Sequence, residues 1–314
     1  MIKKICISVV SSLGFWRIFR FFNRNKLTIL LYHGIAPQKK QGIYNYRGKF
    51  ISPNAFRNQL QFLKKYYKIL PLDEAIEKMY DNTLPPYSVT ITFDDGYRNF
   101  YTHAFPPLKE FGFTATFFIA TDFVIKKKPL WVDRLEFLAL PNDVEIRSQM
   151  KALDNSEKEK LLTELENKSG SKFEDFLNER SVYAPLSIEE MKEMQAGGMS
   201  FGAHTQSHPI LTKIPENYLQ EEMAGSKRIL EEYLGKISSI FCYPNGQSNN
   251  FNDSVIKAVK DAGFSGALTT IEGCNDKKTD PYKLGRIVMD NVYTVNKAKM
   301  VIAGTRIWLS SFIR

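Results

Sequence analysis

The sequence predicts an α/β fold built on a parallel sheet. Eight short apolar runs recur along the chain, at 27–32, 67–70, 88–93, 115–120, 199–203, 239–243, 265–269 and 284–288. Helical patterns fill most of the intervals between them, which is the alternation that parallel strands and their crossovers need. A further observation concerns placement: the residues that carry chemistry fall at the C-terminal ends of these runs. In a closed parallel barrel those ends share one rim, so residues distant in sequence converge there. At 314 residues and 43% hydrophobic, the chain suffices for one large barrel or two medium domains and is too apolar for disorder.

Taken in order, residues 1–26 form a basic amphipathic segment. The apolar run 5–16, flanked by Lys3, Lys4 and Arg17, is shorter than the ~20 residues a spanning helix needs. It has the length of a signal-peptide core, with Ser12-Leu13-Gly14 as a loose cleavage site. The following Phe15-Trp16-Arg17-Ile18-Phe19-Arg20-Phe21-Phe22 interleaves aromatics with arginines, which suits a helix lying in a membrane interface. Packing on the bottom of its own barrel is the alternative. Residues 1–72 hold 14 Lys/Arg and no Asp or Glu, whereas the remainder holds 29 basic against 34 acidic residues. The basic excess therefore belongs to this end. No recognition motif is interleaved with it, so nucleic acid is not the expected partner.

The barrel is expected over 27–290. Ser52-Pro53 reads as N-cap and first turn of a helix, and Ser187-Ile188-Glu189-Glu190 as a capping box whose helix stops at Gly197-Gly198. Leu219, Met223, Leu230 and Tyr233 form another apolar face, closed by Gly235, and Asn252–Ala262 a further helix ended by Gly263. Residues 126–185 break the rhythm with Lys126-Lys127-Lys128-Pro129 and a charged helical stretch, read as a helical insertion that shapes the cleft. Residues 291–314 form a second apolar-basic tail. Two such tails predict a peripheral position on the cytoplasmic side of a membrane, with an exported cell-envelope protein as the alternative. Cys6, Cys242 and Cys274 show no CxxC spacing, which excludes a disulfide framework or a cysteine zinc site and mildly favours a reducing compartment.

The chemistry centres on Val89-Thr90-Ile91-Thr92-Phe93-Asp94-Asp95-Gly96-Tyr97. Alternating residues make a strand, and two carboxylates follow at its end. Successive strand residues face opposite ways, so the pair serves two roles unless the backbone bends. Of the four histidines, His33 follows the first run, His204 follows 199–203, and His208 lies four residues later. A helical turn there would put the last two rings on one face. Two histidines and a carboxylate with one position open make a catalytic metal arrangement. An isolated HxxxH is as often structural, and the Asp-Asp-Gly decides between the readings. His103, in a helical pattern, is read as structural. In Phe241-Cys242-Tyr243-Pro244-Asn245-Gly246, a tight turn either aims a backbone N–H at an oxyanion or is an ordinary turn.

These motifs resemble the polysaccharide deacetylase family, carbohydrate esterase family 4. Thr92–Tyr97 matches its first motif, His204–His208 its second, and Phe241–Gly246 its third in part. The resemblance covers about 27–290. It implies a distorted parallel (β/α) barrel of seven or eight strands that removes N-acetyl groups from amino sugars. By the same resemblance Asp94 is the general base, and Asp95, His204 and His208 bind a divalent metal. Zinc is the default; cobalt, nickel and iron also suit such a set. The Asn245 N–H is the implied oxyanion donor. Two departures stand out. Cys242 occupies the place of an arginine that orients the base, and Arg286 on another strand is expected to replace it. The family's late catalytic histidine is missing, and Leu31-Tyr32-His33-Gly34 is similar to the permuted motif order of biofilm poly-N-acetylglucosamine deacetylases, which makes His33 the implied general acid. The expected substrate is an N-acetylated glycan or a lipid-linked saccharide. The alternatives are deacylation or deformylation of a lipid-linked sugar, a catalytically silent saccharide-binding barrel, and an iron oxygenase, in which Asp94 would have no task.

Overall fold

Eight parallel strands form in the computed structural model, which describes residues 14–37, 48–138, 140, 143–170, 182–290 and 294–305. They are β1 (Thr28–Tyr32), β2 (Lys68–Ile69), β3 (Ser88–Phe93), β4 (Thr116–Ile119), β5 (Ser200–Ala203), β6 (Ile240–Cys242), β7 (Gly266–Glu272) and β8 (Leu284–Val288). The sheet order is β5-β4-β3-β1-β8-β7-β6, with the short β2 paired on β3. The Ser238 N–H donates to the Phe201 carbonyl at 2.7 Å, bridging the entry to β6 and strand β5. The ring is thus a nearly closed seven-strand barrel with β2 outside it. The apolar runs locate every strand within a residue or two except β7. That strand continues through Thr270 and Ile271 to pair Glu272 with Arg286 across a register shift, a length its polar residues conceal.

β1 and β3 are buried along their whole length, as strands covered on both faces must be. The polar residues of β3 are enclosed: Thr92 Oγ1 donates to the Leu30 carbonyl at 2.8 Å. On the apolar side Phe93 stacks on Phe117 at 4.8 Å and on Tyr32 at 5.2 Å. Burying each such ring contributes roughly 1.5–3 kcal/mol, so this cluster fixes the strand that ends in the two aspartates.

The expected caps form. Ser52 accepts from the Ala55 N–H and opens the Pro53–Tyr66 helix. Ser187 and Glu190 make a reciprocal capping box on Ile188–Ala196. The Leu219-to-Tyr233 face runs through Glu216–Gln220, a π-turn at Glu221–Gly225 and Ser226–Leu234. Asn252 caps Asp253–Asp261.

The insertion supplies helices Trp131–Phe137, Asp143–Ala152 and Asn155–Ser169. Trp131, Leu135, Met150 and Leu162 pack with Ile210, two residues beyond His208, so the insertion rests on the loop that carries the histidines. Arg134 ties it together through Glu159 and Glu166.

The helix Trp16–Phe22 sits where the strands begin. Trp16 is buried edge-on against Phe62 and Tyr66, and Arg20 donates to the Tyr66 carbonyl. Phe15, Ile18, Phe21 and Phe22 are exposed. One face of the helix packs on the barrel's own bottom, as the second reading expects, and an apolar face looks outward. Asn23 Nδ2 donates to the Ala303 carbonyl at 2.9 Å, joining this end to the C-terminal helix Val295–Ile302. The rest of the two tails, residues 1–13, 291–293 and 306–314, lies outside the described residues. No helix among the described residues is long and apolar enough to cross a membrane.

Candidate active site

The Asp94 N–H donates to the Tyr32 carbonyl at 3.0 Å, continuing the β1–β3 ladder one residue past the strand. The backbone then turns sharply, with φ of 89° at Asp95 and 109° at Gly96. A Cβ at Gly96 would meet Val124 Cγ2 at 2.9 Å, so only glycine fits. The bend sends the two carboxylates to different partners.

Asp94 is 2% exposed and grips Arg286 with both oxygens, at 2.8 and 2.6 Å. Arg286, fully buried, also donates to the Thr269 carbonyl at 2.8 Å and meets Thr92 Oγ1 and Cys242 Sγ at 3.2 Å each. The guanidinium thus comes from β8 to the place beside Cys242 where the third motif lacks one, which removes the main reason to read the barrel as silent. Burial alone would raise the Asp94 pKa, but Arg286 pulls it below the ordinary 3.8. Asp94 is ionised at neutral pH.

Asp95 Oδ1 lies 3.3 Å from His208 Nε2 and 3.6 Å from His204 Nε2. The Nδ1–H of His204 donates to the Cys242 carbonyl at 2.8 Å, because a carbonyl only accepts; this turns Nε2 toward Asp95 as the atom a metal would take. The other oxygen of Asp95 meets Lys49 Nζ at 3.2 Å. Lys49 also contacts the Tyr97 hydroxyl and Asp133 Oδ1, the latter at 3.0 Å, and Tyr97 donates to Asp133 Oδ2 at 2.6 Å. Burial would raise Asp95, and Lys49 with the two imidazoles holds it well below 3.8. Burial pushes His208 below 6.5. It would lower His204 too, but Cys242 and Asp95 beside that ring raise it well above, so a metal taking His204 must displace a proton.

The histidine segment is not helical, contrary to the turn that the i, i+4 spacing suggests. It is a tight loop with positive φ at Thr205 (68°) and His208 (56°), and it brings the ring centroids to 4.9 Å. Thr205 Oγ1 accepts from the His208 N–H at 3.0 Å, and Glu222 accepts from the Gln206 and Ser207 N–H groups at 2.9 and 3.0 Å. These bonds replace the helical ones. Non-glycine residues at positive φ cost ~1–3 kcal/mol each and gather where a site over-determines them; here Asp95, Thr205, His208 and Asn245 all do so.

The donor set fits a metal ion. Ligand atoms of Asp95, His204 and His208 lie within 4.8 Å of one another, and zinc–nitrogen and zinc–oxygen bonds of ~2.0–2.2 Å reconcile with the 3.3 and 3.6 Å spacings around Asp95. A second triplet of Asp94, His204 and Cys242 is equally close, but both oxygens of Asp94 are committed to Arg286.

His33 Nδ1–H donates to Asp290 at 3.0 Å. Burial would lower this imidazole, but Asp290, helped by Asp95 and Asp94, raises it above 6.5. Asn245 has φ of 58°, its carbonyl accepts from Thr270 Oγ1, and its N–H makes no hydrogen bond among the described residues. His103 sits in a π-turn at Phe100–Ala104, apart from the cluster. The sequence reading missed Asp290, Lys49, Asp133 and Glu222. Asp290, two residues past the end of β8, obeys the same strand-end rule as the others and was open to it. The remaining three act through space and carry no motif.

Residues 81–267 match the family model described as Polysaccharide deacetylase. The Bacillus subtilis protein YxkH, whose naming as a polysaccharide deacetylase is provisional, is 24% identical over 264 residues, covering 83% of this chain and 71% of that one. The poly-beta-1,6-N-acetyl-D-glucosamine N-deacetylase of Staphylococcus epidermidis is 26% identical over 228 residues, covering 63% and 78%. Among solved structures, the Streptococcus pyogenes deacetylase PplD, in complex with acetate, superposes with a TM-score of 0.63 at 23% identity, over 88% of this chain and 99% of that one. At that identity the likeness speaks for the fold.

Proposed function

The chain belongs to the polysaccharide deacetylase family, and on that premise we propose that it hydrolyses N-acetyl groups of an amino-sugar glycan with Asp94 as base and His33 as acid. The observation that carries the reading is the separation of the adjacent carboxylates, Asp94 to Arg286 and Asp95 to the two histidines. A divalent ion held by Asp95, His204 and His208, zinc by preference, would polarise the acetyl carbonyl and lower the pKa of a bound water.

The protein's own groups supply the proton traffic. Asp94, kept ionised and oriented by both nitrogens of Arg286, takes a proton from the attacking water. The amine leaves only after its nitrogen gains a proton, and His33, whose protonated form Asp290 favours, gives it. The C–N bond breaks, releasing acetate and the free amine. The Asn245 N–H is the donor assigned to the developing oxyanion; losing one such donor typically costs ~10²–10³ in rate. The exposed Phe15, Ile18, Phe21 and Phe22, set among Arg17 and Arg24, support attachment to a membrane surface.

The test is acetate release from N-acetylated oligosaccharides, with metal-loaded wild type beside Asp94→Asn. The wild type is expected to release acetate and the variant to lose ~10²–10⁴-fold. No release from any oligosaccharide, with metal confirmed bound, would overturn the reading in favour of a silent saccharide-binding barrel.

A further inference from the structure

Between the insertion and the histidine loop lies a cavity of about 170 Å³, bordered by Lys128, Trp131, Arg134, Lys158, Ser207 and His208. A single water needs only ~10–15 Å³ on that measure, so a group larger than water fits. Its wall is unusual in one respect. Lys158 is 3% exposed and Trp131 8%, and neither Lys158 Nζ nor Trp131 Nε1 has a hydrogen-bond partner among the described residues. The ammonium rests over the indole ring, 4.9 Å from its centroid, a contact that offsets only part of the cost of burying an unpaired charge. Burial accordingly pushes Lys158 down to about 8.

The acids at the same wall are already engaged. Glu159 takes two hydrogen bonds from Arg134, at 2.6 and 2.8 Å, and Asp122, whose Oδ1 makes no hydrogen bond among the described residues, is ion-paired with Lys126 at 2.7 Å. His208, whose Nδ1 also lacks a partner among the described residues, borders the cavity and ties it to the catalytic centre.

We infer that this cavity is an anion subsite, in which Lys158 and the Trp131 N–H receive a carboxylate or phosphate carried by the glycan substrate. The inference rests on the glycan reading above and narrows it to acidic or phosphorylated chains. The long flexible stem of Lys158 lets its ammonium turn from the indole to the ligand, and the indole N–H supplies a neutral second donor.

The test compares matched N-acetylated oligosaccharides that are neutral, carboxylated or phosphorylated. Wild type is expected to show a higher kcat/KM on one of the charged forms, and the two charged arms tell which. A charge-assisted hydrogen bond of ~1.5–3 kcal/mol makes the expected loss of that charged-to-neutral ratio in Lys158→Met about 10–100-fold, carried by KM, with partial recovery in Lys158→Arg. Trp131→Phe keeps the ring, removes the donor and is expected to lower the same ratio, which covers the case of a misfolded lysine variant. A wild-type ratio near one, or a ratio unmoved by both substitutions, overturns the subsite. If no oligosaccharide is hydrolysed, the deacetylase reading fails by itself. Calorimetry with glucuronate, inorganic phosphate and acetate then decides the subsite: glucuronate or phosphate binding that Lys158→Met loses upholds it, and binding equal in both proteins, or seen for acetate alone, overturns it.

Discussion

Asp94 and Asp95 share a chemistry and differ only in what they touch, so each can be tested through its partner. Arg286→Met would leave the Asp94 carboxylate buried and unpaired. Breaking one half of a buried ion pair costs ~3–5 kcal/mol, which urea unfolding at pH 7 measures. With Arg286 present, the folded-state pKa of Asp94 is depressed, so its stabilisation is present above the ordinary carboxylate value and is lost as pH falls through the depressed one. Without Arg286 burial is opposed only by the weaker pull of His204 and His33, and the acid limb of the rate profile is expected to move to higher pH; an unmoved limb would remove Arg286 from its assigned role. His33 behaves oppositely. Asp290 raises it above 6.5 against the pull of burial, so the protonated form persists to higher pH than in a free imidazole and the alkaline limb lies above 6.5. In Asp290→Asn burial prevails, and that limb is expected to slide downward, lowering the ratio of activity at pH 8 to that at pH 6. If the limb stays put in that variant, the acid is some other group.

The element that sets the proposed metal ligands is the loop from His204 to His208, and Glu222 is its clamp. Outer contacts that orient a metal ligand typically contribute 10–100-fold to affinity, so Glu222→Ala is expected to weaken metal binding by about that factor, read by competition with a chelator. Unchanged affinity would mean that the Thr205–His208 bond suffices alone. This loop also shows where reading from sequence stops. The spacing of His204 and His208 announces that two rings meet, but i, i+4 is satisfied equally by a helix and by a turn with two residues at positive φ, and only the bonds to Glu222, distant in sequence, select the turn. Most strands are legible as short runs dense in apolar residues; the end of β7 is not, because Thr270 and Glu272 read as loop. Arg286 is legible through a vacancy, since Cys242 stands where a guanidinium is required. Lys49 and Asp133 leave no such trace, because a buried ion pair places no constraint on the spacing of its members.

At the scale of the molecule, near-closure of the barrel gathers His33 from β1, the aspartates from β3, the histidines from β5, Asn245 after β6 and Arg286 from β8 at one rim. Such a site couples the ion to the fold as a whole. Metal at a hundred times its Kd is expected to stabilise the protein by ~2.7 kcal/mol, so stripping it with a chelator should lower Tm and abolish acetate release, with both restored by zinc; a Tm indifferent to the ion would place the metal elsewhere. The aromatic-arginine helix Trp16–Phe22 lies at the opposite pole, where the strands start. Were the barrel bedded on lipid through that helix, its rim would open away from the bilayer, toward the aqueous side, with the height of the strands between surface and site.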